Sequence, residues 1–354
     1  MVSIEKQMVK AWYSKFSWVL LLYPLSLIFQ LMVTIRRYFL CRSHQGKPFS
    51  APVVVVGNIS VGGSGKTPLL IKLCLELIGR GLKVAVVSRG YGGRSADYPL
   101  QVAEDACASV CGDEPLLIRQ SLPLTEAIIV VDPVRKRGVE FALSQLSCDI
   151  VLCDDGLQHY RLHRDLEIAV VDGSRGLGNR LFLPAGPLRE PVSRLKSVDL
   201  VAVNGHQSLD GIPSDAFYTI EPTHFRELST GKILPLDQWP FSKKVHALAA
   251  IGNPQRFANT LVSLGLSPIL LGFNDHFTMT ASDLSFDDDL PVIITAKDAV
   301  KFDTVIICAG TLGKIGKFEK TTIQSYKKTF QINLFGQVEL SKFLIKKKLL
   351  KSNS

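Results

Sequence analysis

Disulfide bonding is not what holds this chain together. Its seven cysteines (Cys41, Cys74, Cys107, Cys111, Cys148, Cys153 and Cys308) are odd in number, scattered, and set mostly within apolar runs. That usage suits a reduced, cytosolic body rather than a stapled secreted scaffold. Cys107 and Cys111 are spaced closely enough for a metal, but no second pair follows, so a zinc site is not expected. The sequence also lacks a basic stripe with interleaved aromatics, despite a formal net charge of +9. From Asp303 to Ser354 there are ten lysines against three acids, so the tail holds +7 of the excess. The body is nearly neutral, and a nucleic-acid partner is not expected. An Asn-Lys-x-Asp base reader is missing too, which argues against a GTPase.

The 354 residues present suffice for two domains with real cores. One long run, Phe16 to Ile35, carries no charge, with Lys15 before it and Arg36, Arg37 and Arg42 after it. About twenty apolar residues are what a helix needs to cross a bilayer. Trp12, Tyr13, Trp18 and Tyr38 sit near the two ends of the run as interfacial aromatics do. No small-residue cleavage site precedes Lys47, so this does not read as a removed signal peptide. A single membrane anchor within residues 1–45 is expected, with the body on the cytoplasmic side. Pro24 and Gln30 leave a helix lying partly in the interface as the alternative.

The strongest local signal is Val53 to Leu70, VVVVGNISVGGSGKTPLL. Four valines read as a buried strand, glycines allow a tight loop, and Lys66, Thr67 and an apolar run open a helix. Ser60, Val61, Gly62, Gly63, Ser64, Gly65, Lys66 and Thr67 then form a phosphate cradle, although Ser60 stands where the general pattern has glycine. Backbone N–H groups and Lys66 meet phosphate oxygens, and the Thr67 hydroxyl meets Mg²⁺. This predicts an ATP-type triphosphate site. A dinucleotide-binding loop has no use for Lys-Thr at that point.

Between residues 51 and 205, short apolar strands alternate with amphipathic helices, which predicts a doubly wound parallel sheet with ligands at the strands' carboxyl ends. Four further motifs fall there. Ser88–Gly93 (SRGYGG) is a glycine turn after a strand. Gly112-Asp113-Glu114-Pro115 reads as an acidic loop before a helix at Leu116–Gln120, and its aspartate could be only a helix cap. Cys148–Asp155 ends a strand in paired acids, where a P-loop enzyme keeps the carboxylate that orients Mg²⁺. Leu183–Pro191 (LPAGPLREP) is a rigid loop presenting Arg189, suited to bidentate phosphate recognition, beside Glu190.

Together GNISVGGSGKTP, SRGYGG, GDEPLL, DDGLQH and LPAGPLREP resemble, in order and spacing, the tetraacyldisaccharide 4′-kinase family of lipid A synthesis. Ile251–Pro254, Phe273–His276 and Thr295–Lys301 extend the resemblance, which covers about residues 10–302. It implies ATP-dependent phosphorylation of the 4′-hydroxyl of a membrane-embedded glycolipid, a disaccharide 1-phosphate. The setting would be the inner membrane of a Gram-negative-type bacterium, with no obligate protein partner. It further implies that Asp113 is the general base, paired with His276. Asp154 or Asp155 would assist the metal with Thr67, and Tyr91, Gln158, His159, Arg189 and Glu190 would lie on the substrate side. Thr295-Ala296-Lys297-Asp298 departs from the Thr-Glu-Lys-Asp of that family, and Asp132-Pro133 departs from its Asp-Arg.

The implied organisation is an anchor (1–45), a P-loop kinase domain (46–222), a two-stranded linker (223–244), a smaller α/β domain (245–302) and a basic tail (303–354). The site would lie in the cleft between the two domains. Asp303–Gly310 and Thr329–Gly336 resemble pieces of a short-chain dehydrogenase, the second matching that fold's Asn-x-x-Gly helix. The cofactor glycines and the Tyr-x-x-x-Lys of such enzymes are missing, so hydride transfer is excluded. A catalytically impaired, anchored remnant with an altered end remains the alternative to an active kinase.

Overall fold

The structure, a computed structural model, describes residues 4–14, 17–43, 48–228, 230–275, 277, 279–301 and 329–337. His276, Asp303–Gly310 and Phe318–Ser325 lie outside the described residues.

The charge-free run is not one continuous helix. After α1 (Ile4–Trp12), a 3-10 turn covers Trp18–Leu22, and α2 (Tyr23–Ser43) then runs through Arg36, Arg37 and Arg42. Pro24 sits in the first turn of α2, where its missing N–H costs nothing. Trp18–Arg42 is long and apolar enough to cross a membrane, with a mean hydropathy of 2.0. One stripe of α2 is nevertheless docked on the body. Ser26 Oγ donates to Phe182 O at 2.8 Å and accepts from Ala185 N at 2.9 Å. Phe29 and Val33 pack on the core, and Arg37 Nη2 reaches Ser197 Oγ at 3.5 Å. Spacings of three and four residues keep these four side chains on one helical face.

The first unit follows the predicted alternation: β1 (Val53–Gly57), α3 (Lys66–Ile78), β2 (Val84–Ser88), β3 (Leu100–Gln101), α4 (Ala108–Cys111), α5 (Asp113–Ser121), β4 (Ala127–Val131), α6 (Arg135–Gln145), β5 (Ile150–Asp154), β6 (Leu166–Asp172) and β7 (Leu200–Asn204). The parallel order β7-β6-β1-β5-β2-β4 puts β1 at the centre. The pleat of β1 sorts its valines between two cores. Val54 and Val56 meet α3 and α5, whereas Val53 and Val55 face α6 and the side where α2 docks. The helix expected at Leu116–Gln120 begins earlier, so Asp113, Glu114 and Pro115 form its first turn, where acids and proline are favoured.

β8 (Ala216–Glu227) joins the two units. Its first residues pair with β7, and its end pairs with β9 (Ile233–Pro235) in an antiparallel hairpin. Beyond it lie β10 (Lys244–Ala249), α7 (Pro254–Ser263), β11 (Ser267–Gly272), β12 (Val292–Thr295) and α8 (Ala296–Ala299). The segment likened to a dehydrogenase helix is instead a strand, β13 (Thr329–Gln337). It lies parallel to β12 and antiparallel to β8, so it joins both halves into one sheet.

Candidate active site

β1 delivers its loop beside the end of β5, with Val56 in register with Asp154. The loop passes through the left-handed region at Gly62 and Gly65 (φ +96° and +93°), and a Cβ on Gly65 would strike Asn204 Nδ2. Its carbonyls are held from outside. Arg175 Nη2 donates to Gly63 O at 3.0 Å, Asn204 Nδ2 to Ser64 O at 3.1 Å, and Tyr218 Oη to Gly65 O at 2.9 Å. The N–H groups of Gly62, Gly63, Ser64 and Gly65 donate to no partner among the described residues. Free amides at the N-terminus of α3 fit a polyphosphate.

Two further segments brace this loop. Val61 N donates to Pro187 O at 2.9 Å, and Arg189 N donates to Ile59 O at 2.7 Å. Trp12 of α1 packs near Val61 and Leu183 and donates its Nε1 to Pro184 O at 2.9 Å. From the second unit, Gly252 approaches so closely that a Cβ there would strike Gly63 N. Arg175 ties the two segments, since its Nη1 donates to Gly252 O at 2.8 Å.

The paired acids at the end of β5 are held in different ways. Asp155 forms ion pairs with Lys66 at 3.5 Å and Arg189 at 3.0 Å. Burial alone would raise its pKa, but these two cations outweigh burial and hold the carboxyl well below the usual range. Asp154 is buried; burial and the charge of Glu114 push its pKa up to about 7. Ser88 Oγ lies 3.4 Å from Asp154 Oδ2, while Asp154 Oδ1 is buried with no hydrogen-bond partner among the described residues. A shielded carboxylate oxygen left open beside a phosphate loop fits a divalent cation. Arg135 closes the back of the strand, its Nη2 donating to Asp154 O at 2.6 Å.

Asp113 is buried at the start of α5. The glycine motifs explain its position. Gly112 has φ +93°, and a Cβ on Gly93 would lie 2.5 Å from Gly112 N, so only bare backbones allow the two loops to touch. Asp113 Oδ1 accepts from Glu114 N at 2.9 Å, and Oδ2 lies 3.5 Å from Lys301 Nζ. Lys297 Nζ bridges Glu114 at 3.1 Å and Asp275 at 3.2 Å. Burial opposes the charge on Lys297, but Glu114, Asp275 and Asp113 outweigh it and raise its pKa.

A family model described as Tetraacyldisaccharide-1-P 4′-kinase matches residues 18–312. The chain belongs to this family. Tetraacyldisaccharide 4′-kinases of Stutzerimonas stutzeri and Pseudomonas aeruginosa are 46% identical over 301 residues and 44% identical over 304 residues, covering 85% of this chain and 89% of each relative. The LpxK crystal structure from Aquifex aeolicus in complex with ATP is similar at a TM-score of 0.71 and 28% identity. That likeness covers 94% of this chain and 98% of the other. The family match runs ten residues past the boundary expected at 302, so Asp303–Gly310 falls inside it. A disabled remnant is not favoured by matches of this extent.

Within this family frame, the remaining sequence-predicted residues fall into two groups. Tyr91 is exposed on the 88–93 loop, and His159 is partly buried. Burial, with Arg135, Arg89 and Arg164 nearby, pushes the His159 pKa down to about 4. Gln158, Arg189 and Glu190 instead face the phosphate loop. Gln158 Nε2 donates to Asn58 O at 3.0 Å and to Glu190. Arg189 donates to Asn58 as well as Asp155. Glu190 is fully enclosed, accepts from Tyr160 Oη at 2.6 Å and lies 3.3 Å from Arg194 Nε. Lys297 and Lys301 sit inside a quoted motif, yet nothing in the spacing of that motif links them to Asp113 and Glu114. Asn204, Tyr218 and Arg175 were likewise not legible, because each reaches the loop from a distant strand end.

Proposed function

We propose that Asp113 accepts the proton of the 4′-hydroxyl of a tetraacyldisaccharide 1-phosphate as the γ-phosphoryl group of ATP passes to that oxygen. The observation that carries this reading is the placement of Asp113, a buried carboxylate at a helix N-terminus facing lysines of the second unit. A sugar hydroxyl ionises far above neutral pH, so a positioned carboxylate can take its proton as the O–P bond forms. The chain's kinase activity follows from its family membership; the residue roles are assigned here.

Lys66 and the amides of residues 62–65 hold the phosphates. Thr67 and Asp154 would hold Mg²⁺, whose charge neutralises the β- and γ-phosphate oxygens. Asp155 orients Lys66 and Arg189 for the same phosphates. His276 is assigned as the partner of Asp113 from the family resemblance. Tyr91 and His159 are assigned to the sugar side, and Gln158 and Glu190 support the loop from beneath. Residues 46–222 and 245–302 act as two domains about the 223–244 hairpin, with the substrate between them.

The membrane side is assigned to α2. Its exposed apolar residues include Leu25, Ile28, Leu31, Met32 and Ile35. The stripe from Ser26 to Arg37 spans roughly 16 Å at 1.5 Å per residue. A helix held to the body over half a bilayer core cannot cross that core alone, which favours α2 lying in the cytoplasmic face of the inner membrane.

The test uses purified protein in phospholipid–detergent micelles with γ-labelled ATP and the disaccharide acceptor. Asp113→Asn should lower turnover by about 10²–10⁴-fold while leaving ATP binding unchanged. Wild-type turnover in that variant would remove Asp113 from the chemistry.

A further inference from the structure

We infer that Lys301 is a positioning residue for Asp113, supplied by the second unit, and that Lys297 sets the unit-to-unit register that Lys301 requires. This rests on Asp113 being the general base.

The geometry begins with α8. Thr295 caps it, its Oγ1 accepting from Asp298 N at 3.2 Å and donating to Asp298 Oδ2 at 2.6 Å. Asp298 Oδ2 also accepts from Ala250 N at 3.0 Å, which fixes the turn to the end of β10. Lys297 and Lys301 are four residues apart, so one rigid turn sends both ammonium groups toward the start of α5. Each takes a different acid there. Lys297 is occupied by Glu114 and Asp275, which leaves Lys301 to Asp113.

Lys301 is 7% exposed at its side chain. Besides Asp113 it has Asp298 Oδ1 at 3.6 Å and donates to Phe277 O at 3.1 Å. A lysine is costly to bury unless its charge is used, and here its contacts come from both units. Its cation favours the charged form of Asp113 and fixes Oδ2, while Oδ1 is fixed by the amide of Glu114. Lys297 acts one step further out. It ties the residue after Asp113 to the residue before position 276, so the two units meet where the base must work. Both lysines belong to the second unit, so the base is complete only when the two units are apposed.

The ionisable groups around Asp113 include Glu114 and the Cys111 thiol from its own side, Lys297 from α8 and Lys301 just after it, with Asp275 and Asp298 on the far side of the two lysines. With Lys301 removed, Asp113 loses the ammonium that lies against its Oδ2, and Lys297 is already shared by Glu114 and Asp275. The acid limb of the kcat profile should then move to higher pH, the direction expected when an adjacent opposite charge is lost.

The experiment measures kcat, KM for ATP and the kcat–pH profile of the full chain in micelles, for Lys301→Met, Lys301→Gln, Lys301→Arg and Asp113→Asn. Lys301→Met should lower kcat about tenfold or more, shift the acid limb upward and leave KM for ATP unchanged, and Lys301→Arg should recover most of the rate. If the Met variant melts early or fails to bind ATP, the Gln variant is read in its place. Wild-type kcat and pH profile in both neutral variants would overturn the inference. So would a loss of kcat with an unmoved limb and a matching loss of ATP affinity, which is what a merely structural lysine gives. Asp113→Asn separates the two levels. Full turnover there removes the base assignment, whereas a large loss there with wild-type Lys301 variants removes only the role given to Lys301.

Discussion

Two pairs of neighbouring acids frame the phosphate loop, and they acquire their cations by opposite routes. Asp154 and Asp155 end a central strand, and the cations on Asp155 come from their own unit, Lys66 one strand away and Arg189 from the adjoining loop. Asp113 and Glu114 open a helix, and their cations, Lys301 and Lys297, come from the other unit. The first pair is set once the first unit folds. The second is set only when the units meet, so its electrostatics depend on a relative placement rather than on a local motif. The nucleotide end is thereby preformed, while the end proposed to accept the proton is conditional on the meeting of the units.

The largest departure from this contrast should come from removing the open carboxylate. Asp154→Asn is expected to lower turnover about a hundredfold or more, because metal charge neutralisation is worth several kcal/mol in a phosphoryl transfer. ATP binding without Mg²⁺ should be little changed, since Lys66, Arg189 and the loop amides stay in place. Titrating turnover against Mg²⁺ checks it. A wild-type Mg²⁺ response in that variant would move the metal to Asp155 and erase the distinction between the two strand-end acids.

A smaller effect tests whether the first pair is braced from within its unit. Glu190 is enclosed and joins Gln158, Tyr160 and Arg194 directly beneath Asn58. Glu190→Ala leaves Arg194 with Glu167 as its acidic partner, removes one of the two acceptors of Gln158 and strips the carboxylate from Tyr160. Breaking a buried pair in this way costs about 3–5 kcal/mol, and the surviving Glu167 contact places this case near the lower end. Chemical denaturation should show the loss as a lower midpoint, with ATP affinity reduced because the loop above loses its support. A variant as stable as the parent would show that the brace is not needed.

What was legible in the sequence follows the same division. The loop at 60–67 could be read because its glycines, lysine and threonine are consecutive and each has a local reason. The valine-rich strands were equally plain, and their order placed Asp154 beside the loop. The pairing of residue 301 with residue 113 left no local trace; only the meeting of β10, α8 and α5 brings them together. The α2 stripe was hidden for a related reason, since Ser26, Phe29, Val33 and Arg37 form a face only once the body is there to receive it. β13 was misassigned despite a signal. Thr329-Phe-Gln-Ile-Asn-Leu alternates polar and apolar residues with the period of a strand, and a partial likeness to a dehydrogenase helix overrode it.

Beside the first acid pair lies a histidine whose charge that unit suppresses. Burial and the cations Arg135, Arg89 and Arg164 lower the His159 pKa to about 4, against 6.5 in an unstructured chain. The folded protein therefore keeps His159 neutral across a range in which the unfolded chain protonates it, so proton binding favours unfolding there. His159 contributes no pH penalty above about 6.5, and stability should decline as pH falls from there toward 4. His159→Gln removes this proton and should flatten that part of the stability–pH curve while leaving the value at pH 8 nearly unchanged. Melting temperatures at half-unit steps of pH, without nucleotide, give both slopes. Equal slopes would mean that the arginines around Asp154 and Asp155 do not act on their neighbour, and that the positive rim of the nucleotide end is weaker than its geometry implies.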